Sequence, residues 1–247
     1  MKTKALIGAV LACAAIAGNV HAIGVAGQGT WETTLLGRDV TGKAVEGSDA
    51  SAVFLYDTTL NITWLRDANA NGAMTWAQAN AWAASLTVGT YSNWRLPTMI
   101  DTGVSGCDLA YTGTDCGYNV RTTSGGAAYS EMASLWYDTL GNKAQFDASG
   151  SAPQAGWGFT NRGDFKLLQS GAYWLGLDYA PNQLNAWHFY TTNGYQGDGG
   201  AKTDPLYALA VRAGDVLTTP VPEPETYALM VAGLSVVVAA ARRRKAA

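Results

Sequence analysis

The clearest periodic pattern of apolar positions lies between residues 75 and 89. Apolar residues recur there at the spacing of one helix face: Trp76, Ala79, Ala83 and Leu86. Thr75 and Gln78 match a capping box, in which each side chain accepts a hydrogen bond from the backbone amide of the other residue. The pattern therefore predicts a helix that begins after Thr75 and ends before Gly89, since glycine suits a helix end.

A second helix pattern begins after Ser130, which is a favourable N-cap residue. Its apolar positions are Met132, Leu135, Trp136 and Leu140. Gly141 follows the last of these and indicates where the helix stops. The chain is thus predicted to contain two short helices, with other structure between and around them.

Runs of aromatic and β-branched residues predict strands. Residues 52–56 and 61–65 are predicted to form a β-hairpin. Further strands are predicted at 173–177, 186–190 and 206–212, with an edge strand within 27–39. Residues 192–205 contain four Gly and are predicted to form a long loop. These elements predict an α+β body in which two short helices accompany a twisted antiparallel sheet.

The segment Trp94-Arg95-Leu96-Pro97-Thr98 follows the first helix. Pro97 disfavours helical backbone at Leu96, so this residue is predicted to be extended. Thr98 and Asp101 match a weaker capping pair, which predicts a short helical turn. We expect Arg95 to be structural, paired with an internal acid and stacked on Trp94, rather than to bind a ligand.

The N-terminal residues 1–22 have the three parts of a secretory signal peptide. Lys2 and Lys4 supply the positive charge, residues 5–17 form an apolar run, and small residues precede a cleavage site after Ala22. The apolar run is too short to span a bilayer comfortably. The protein is therefore predicted to be exported.

The C-terminal residues show three features in a fixed order. Pro222, Glu223 and Pro224 come first, a short apolar helix is predicted at about 226–241, and a basic cluster closes the chain at Arg242, Arg243, Arg244 and Lys245. This order resembles the PEP-CTERM sorting signal. The resemblance implies processing by an exosortase-type enzyme, transient anchoring in the inner membrane, and a destination in the envelope, outer surface or extracellular matrix of a Gram-negative bacterium.

Composition and charge narrow the function of the body. Nine Trp and twelve Tyr stand against five Phe, which suits cores with polar edges and surfaces that stack on ligands. Residues 23–220 carry ten Lys and Arg against seventeen Asp and Glu, a net charge of −7. Because nonspecific nucleic-acid binding requires a basic face, we expect no nucleic-acid partner.

A calcium loop and a solvated turn are both considered for residues 67–72. Asp67, Asn69 and Asn71 match the first, third and fifth positions of an EF-hand loop. The twelfth position, normally a bidentate Glu, is Gln78, which the capping box also claims. The turn is the favoured interpretation, and no cofactor is expected.

Cys107 and Cys116 are the cysteines that remain after removal of the signal peptide. Export favours a disulfide between them. A thiol or metal role is the alternative, but two cysteines and the single His188 make a poor zinc site.

The order of elements around the 94–98 segment resembles the C-terminal domain of Lcl-type collagen-like adhesins. The matching residues are Thr63-Trp64, Thr75-Trp76, Trp94-Arg95-Leu96-Pro97-Thr98, Tyr173-Trp174 and Val211-Arg212. A similar Arg-Leu-Pro-Thr occurs in formylglycine-generating domains with a C-type-lectin-like fold. The resemblance implies a C-type-lectin-like, glycan-binding domain at 51–215, preceded by an N-terminal extension at 23–50 and followed by the sorting segment at 216–247.

The sequence contains no credible catalytic triad, since residues 23–247 hold a single histidine and no nucleophile elbow. We therefore expect a noncatalytic module that binds an envelope or matrix polysaccharide. The candidate ligand-binding residues are Trp187, Tyr190, Tyr195 and Asp198. Two alternatives remain: a purely structural matrix protein, and a polysaccharide-active enzyme that uses paired carboxylates.

Overall fold

The computed structural model describes residues 24–103, 111, 114–124 and 127–217. The predicted signal peptide, Cys107 and the predicted sorting segment from residue 218 lie outside the described residues. Within the described ranges, no helix is both long and apolar enough to cross a bilayer. The structure is mixed α+β and mostly sheet, with few and short helices, as the coarse fold class predicted.

Four strands form the first sheet, in the order β1-β2-β3-β11. Their bounds are Leu35–Asp39 for β1, Ala52–Asp57 for β2, Ile62–Leu65 for β3 and Val211–Ala213 for β11. All neighbours are antiparallel, and Asp57 lies opposite Ile62 in the predicted hairpin. The α1 helix, Trp31–Thr34, leads directly into β1. Residues 31–39 therefore share a sheet and a core with the rest of the body.

Five strands form the second sheet, in the order β4-β10-β7-β8-β9. Their bounds are Ala73–Met74 for β4, Leu206–Tyr207 for β10, Ala172–Asp178 for β7, Asn185–Tyr190 for β8 and Tyr195–Ala201 for β9. The pair of β10 and β7 is parallel and the other pairs are antiparallel. A separate small hairpin joins β5, Thr123–Ser124, to β6, Ala127–Ala128.

Two predictions for the late part of the chain are wrong, one of a loop and one of a strand. The predicted loop at 192–205 contains β9, which pairs along its length with β8. The predicted strand at 206–212 is split, because β10 belongs to the second sheet and β11 to the first. Residues 208–210 carry the chain between the sheets with all three side chains buried.

Both predicted helices form. The α2 helix spans Trp76–Ser85, and both hydrogen bonds of the capping box at Thr75 and Gln78 are present. The α3 helix, Glu131–Ala133, starts at the Ser130 cap and continues as a π-helix over Ser134–Thr139. The predicted helical turn after Thr98 is absent, because the Thr98 amide donates instead to the Glu131 carboxylate, 2.8 Å away.

The 94–98 segment joins the two sheets. The backbone of Arg95 exchanges two hydrogen bonds of 2.8 Å with Val211 of β11. The carbonyl of Pro97 accepts a 2.8 Å hydrogen bond from the amide of Gly176 in β7. Leu96 is buried between these two attachments. The 94–98 segment therefore connects the two sheets.

An ion pair joins the 94–98 segment to α3. Arg95 donates two hydrogen bonds of 2.7 Å to the two oxygens of Glu131. The Glu131 side chain is 6% exposed and the Arg95 side chain 41%. The hydrogen bonds to Glu131 raise the pKa of the Arg95 guanidinium further. The predicted internal acid of Arg95 is thus Glu131, while Trp94 stacks on Phe54 at 5.6 Å.

Replacing Arg95 with Ala is expected to lower the free energy of unfolding by about 2–3 kcal/mol, because Glu131 stays buried without its cation. This is less than for a fully buried pair, since Arg95 is partly solvated. Urea unfolding of the purified domain measures the change. Arg121→Ala is the matched control, as Arg121 is exposed and lies over the Tyr129 ring at 5.1 Å. Equal losses in the two variants contradict the role given to the ion pair.

Candidate functional site

The structure separates buried Trp187 from the other three predicted ligand-binding residues. Trp187 is 2% exposed, packs in the main core and donates its indole N–H to Asp101 Oδ2 at 3.2 Å. It offers no face to a ligand, so its assignment as a binding residue is corrected. Tyr190 is 37% exposed and lies opposite Tyr195 in the β8–β9 register. Asp198 is partly exposed on the same strand as Tyr195.

Three further rings extend the Tyr190–Tyr195 pair into one continuous group. The aromatic surface is defined here as Tyr111, Tyr118, Phe146, Tyr190 and Tyr195. Successive ring centroids are 5.0 Å apart for Tyr111 and Phe146, 4.7 Å for Phe146 and Tyr118, 5.3 Å for Tyr118 and Tyr195, and 6.1 Å for Tyr195 and Tyr190. All five side chains are exposed or partly exposed.

Sequence reasoning missed Tyr111, Tyr118 and Phe146. They lie in irregular segments on either side of the second helix, where no periodicity marks them. The sequence signal that could have found them is the position of aromatic residues among Gly, Asn and Asp. Few apolar neighbours are available there to bury the rings. Their convergence with β9 depends on long-range contacts.

Hydrogen bonds of two partly buried side chains, Asn119 and Tyr137, hold the aromatic surface in place. Asn119 donates its side-chain amide to the carbonyls of Tyr111 at 2.8 Å and Phe146 at 2.9 Å. The Tyr137 hydroxyl accepts from the Asn119 amide at 2.9 Å and donates to the Gly194 carbonyl. One asparagine and one partly buried tyrosine therefore link three chain segments beneath the rings.

Two glycines make room for aromatic side chains, one in the aromatic surface and the others beneath it. Gly194 has φ +77°, and a Cβ there would lie 2.6 Å from the Trp136 ring and the Tyr137 hydroxyl. A Cβ at Gly197 would lie 2.4 Å from the Tyr195 ring. Gly197 lies in β9 and Gly194 precedes it, so close packing against neighbours takes the place of intrinsic strand preference here.

The hydroxyls of Tyr118 and Tyr195 are kept protonated. Burial, followed by the nearby Asp198 carboxylate, raises the pKa of Tyr195 to about 12. Burial also raises the pKa of Tyr118, with a smaller contribution from Tyr111. Both phenols remain hydrogen-bond donors across the physiological pH range. The surface thus combines ring area with polar groups at its edges.

His188 lies beneath the Tyr190 end of the aromatic surface. It is 4% exposed, with its ring 5.0 Å from Tyr190 and 6.5 Å from Trp174. A Cβ at Gly200 would lie 2.9 Å from His188 Nδ1, and this nitrogen has no hydrogen-bond partner in the described part of the chain. Burial lowers the pKa of His188, while the Ala186 backbone and then the carboxylates of Asp198 and Asp204 act in the opposite direction. The imidazole of His188 is therefore neutral, and it lies beneath the candidate site.

A cleft of about 650 Å³ lies beside β1. None of the residues that line it belongs to the aromatic surface. Its lining includes Trp31, Arg38 and three acids: Glu32, Glu46 and Asp164. Burial raises the pKa of Asp164, and the carboxylates of Glu46 and Glu32 raise it further, whereas Arg66 lowers it. Carboxyl groups in different environments can serve as acid and base, so this cleft is the candidate site for the enzymatic alternative.

The Asp67–Asn71 segment folds as a turn. Asp67 Oδ1 accepts the Asn69 amide at 3.0 Å, and Asn71 Nδ2 lies 3.9 Å from Met74 Sδ. Asn69 Oδ1 is buried and accepts no hydrogen bond from the described residues. The side chain of Gln78 is engaged in the capping box and is not directed to a calcium ligand set.

Cys116 is disulfide-bonded and buried. Its predicted partner, Cys107, lies outside the described residues. Gly117, the next residue, exchanges two backbone hydrogen bonds of 2.9 Å with Gln196 of β9. The cysteine-containing segment is therefore attached to the edge of the second sheet, next to Tyr118.

Comparison with known families identifies the cellular destination of the protein. Residues 220–245 match the PEP-CTERM protein-sorting motif. This motif implies an exported, exosortase-processed protein at the surface of a Gram-negative bacterium. No curated protein matches the chain. The predicted sorting signal is thus confirmed.

The neutral state of His188 predicts a pH-dependent stability. Because its folded pKa is lowered, the unfolded chain takes up a proton first as the pH falls below the ordinary value of 6.5. The free energy of unfolding is expected to decline from that pH until the folded-state pKa is passed. His188→Phe and His188→Gln are expected to decline less between about pH 7 and about pH 5, measured by urea unfolding. An unchanged pH dependence in both variants contradicts this assignment.

Proposed function

We propose that the body of this exported, exosortase-processed protein is a noncatalytic module that binds an envelope or extracellular-matrix polysaccharide through the aromatic surface. The resemblance to the Lcl-type, C-type-lectin-like domain implies the same class of ligand. The observation that carries the proposal is the continuous, partly exposed group of five rings fixed on the sheet edge. Sugar rings present apolar C–H faces that stack on aromatic side chains, while their hydroxyls need polar partners.

The contacts of the aromatic surface support a ligand larger than one sugar. Tyr111 and Tyr190 are at the two ends of the ring series, and each is 37% exposed. The steps between centroids, 4.7–6.1 Å, are comparable with the length of a pyranose unit. Since hydrogen bonds from Asn119 and Tyr137 fix the backbone at Tyr111, Phe146 and Gly194, little conformational freedom is lost on binding. A polymer that follows the ring series gains several weak contacts together.

Two alternatives make different demands on the same molecule. A purely structural matrix protein needs the sorting motif and the stable body, and no ligand-binding rings. A polysaccharide-active enzyme would use the acidic cleft, where the pKa of Asp164 is raised above its ordinary value. We propose binding because the five rings form one continuous, partly exposed group, whereas the acids of the cleft share its lining with the Arg38 cation.

The double variant Tyr190→Ala with Tyr195→Ala is expected to weaken binding to polysaccharide extracted from the producing cells by about tenfold or more, since each stacking ring contributes about 0.5–1.5 kcal/mol. Affinity electrophoresis measures the change. Tyr56→Ala is the matched control, because Tyr56 is partly exposed on the first sheet. Its binding should equal that of the wild type.

Three outcomes separate the alternatives. Absence of wild-type binding contradicts the proposed function and favours a structural role. Equal binding by wild type and double variant places the ligand elsewhere and contradicts the aromatic surface. Release of reducing ends during the incubation, lost in Asp164→Asn, supports the enzyme.

Substitution of Pro222, Glu223 and Pro224 by Ala is expected to block C-terminal processing, because these residues lie in the matched sorting motif. The variant should retain its C-terminal segment and stay in the membrane fraction, where intact mass reports the uncut chain. Alanine at Thr218 and Thr219, which precede the matched motif, is the control and should be processed normally. Normal processing of the first variant contradicts a sorting role for these three residues.

A further inference from the structure

We propose that the cleft beside β1 is a docking surface for the exosortase-type enzyme that processes this protein. The matched motif implies this enzyme, and the docking surface adds a second contact, made by the folded body. The juxtaposition that carries the inference is an accessible acidic cleft where the body leads into the sorting segment. The inference is separate from polysaccharide binding, because no residue of the aromatic surface lines the cleft.

The body holds the chain in place up to Leu217. Val216 is buried, and its carbonyl accepts a 3.0 Å hydrogen bond from the Tyr91 hydroxyl. The Leu217 amide donates to Asp215 Oδ1 at 2.9 Å, and Asp215 accepts two further hydrogen bonds from Arg38 of β1. The start of the sorting segment is therefore fixed relative to the first sheet.

The distance from this fixed point to the sorting motif is short. The motif match begins at residue 220, so only Thr218 and Thr219 intervene. Pro222 is five positions after Leu217, and a fully extended chain of that length spans at most about 18 Å. This is less than the diameter of a small domain, about 30 Å. An enzyme bound at the motif therefore comes close to Leu217, which lines the cleft and is 47% exposed.

The cleft suits a partner that presents basic and apolar side chains. Leu36 and Val45 give it partly exposed apolar walls. Glu32 and Glu46 also line it and are exposed, and neither takes part in an ion pair among the described residues. Arg38 is in the lining as well, but its charge is offset by its own ion pair. Apolar contact surrounded by complementary charge is the usual composition of a protein–protein interface.

The sorting motif carries charge of the same sign as the cleft. Glu223 and Glu225 place two carboxylates at the motif. An enzyme that binds them presents basic groups there, and the same basic region is attracted to Glu32 and Glu46. Occupation of the cleft by the protein's own motif would bring like charges together. The charges therefore favour the enzyme as the occupant.

The rate of processing in the producing cells tests the docking surface. Glu46→Lys in the full precursor is expected to slow conversion to the mature protein by about threefold to tenfold, because reversing a charge at a contact lowers the association rate. Pulse-labelling followed by immunoblotting or intact mass measures the conversion. Asp204→Lys is the matched control, since Asp204 is exposed between β9 and β10 and does not line the cleft. It should be processed at the wild-type rate.

A spacer separates docking from recognition of the motif. About twenty Gly and Ser residues inserted between Leu217 and Thr218 have an average end-to-end distance of about 25 Å, so the enzyme can reach the motif without contacting the body. In this background, precursors with Glu46 and with Lys in its place are expected to be processed at equal rates. Urea unfolding of the purified bodies verifies that Glu46→Lys and Asp204→Lys are folded.

Each other outcome overturns the docking surface. Equal rates for wild type and Glu46→Lys without the spacer show that the cleft makes no contact. An equal loss in Asp204→Lys assigns the effect to net charge, and a loss that persists with the spacer assigns it to the body itself. Faster processing of Glu46→Lys indicates that the cleft holds the protein's own sorting segment. Polysaccharide binding is expected to be unchanged in Glu46→Lys, so failure of this inference leaves the proposed function intact.

Discussion

The fold depends on one buried carboxylate. Glu131 accepts hydrogen bonds from both terminal nitrogens of Arg95 and from the Thr98 amide, and it begins the helix that closes the main core. A buried charge is tolerated when its partners are complete. Arg95 and Pro97 also bond to the backbones of the two sheets. The position of one sheet relative to the other is therefore set through this carboxylate.

The aromatic surface is assembled on that frame from three separate segments. The β8–β9 hairpin supplies Tyr190 and Tyr195, and two irregular segments supply the other rings. Tyr137, on the π-helix that continues from Glu131, joins the Asn119 amide to the Gly194 carbonyl. The same helix thus supports the sheet contact at one end and the candidate site at the other.

Local patterns predicted the local structure. The capping box at Thr75 and the β2–β3 hairpin depend on neighbouring residues, so the sequence was sufficient for both. The β9 strand was missed because its glycines have poor strand preference and are needed for Tyr195 and His188. The run at 206–212 was read as one strand because apolar continuity does not reveal a change of sheet. Tyr118 and Phe146 meet Tyr195 through long-range contacts, which periodicity cannot show.

The Arg38–Asp215 pair gives the fold a mechanical property. Arg38 donates two hydrogen bonds, of 2.7 and 3.1 Å, to Asp215, just after β11. Since β1 and β11 are opposite edges of the first sheet, tension applied beyond residue 217 reaches both edges together. Peeling of β11 alone is opposed, because Asp215 must first leave Arg38. A body held by its C-terminal end would share the load across the whole sheet.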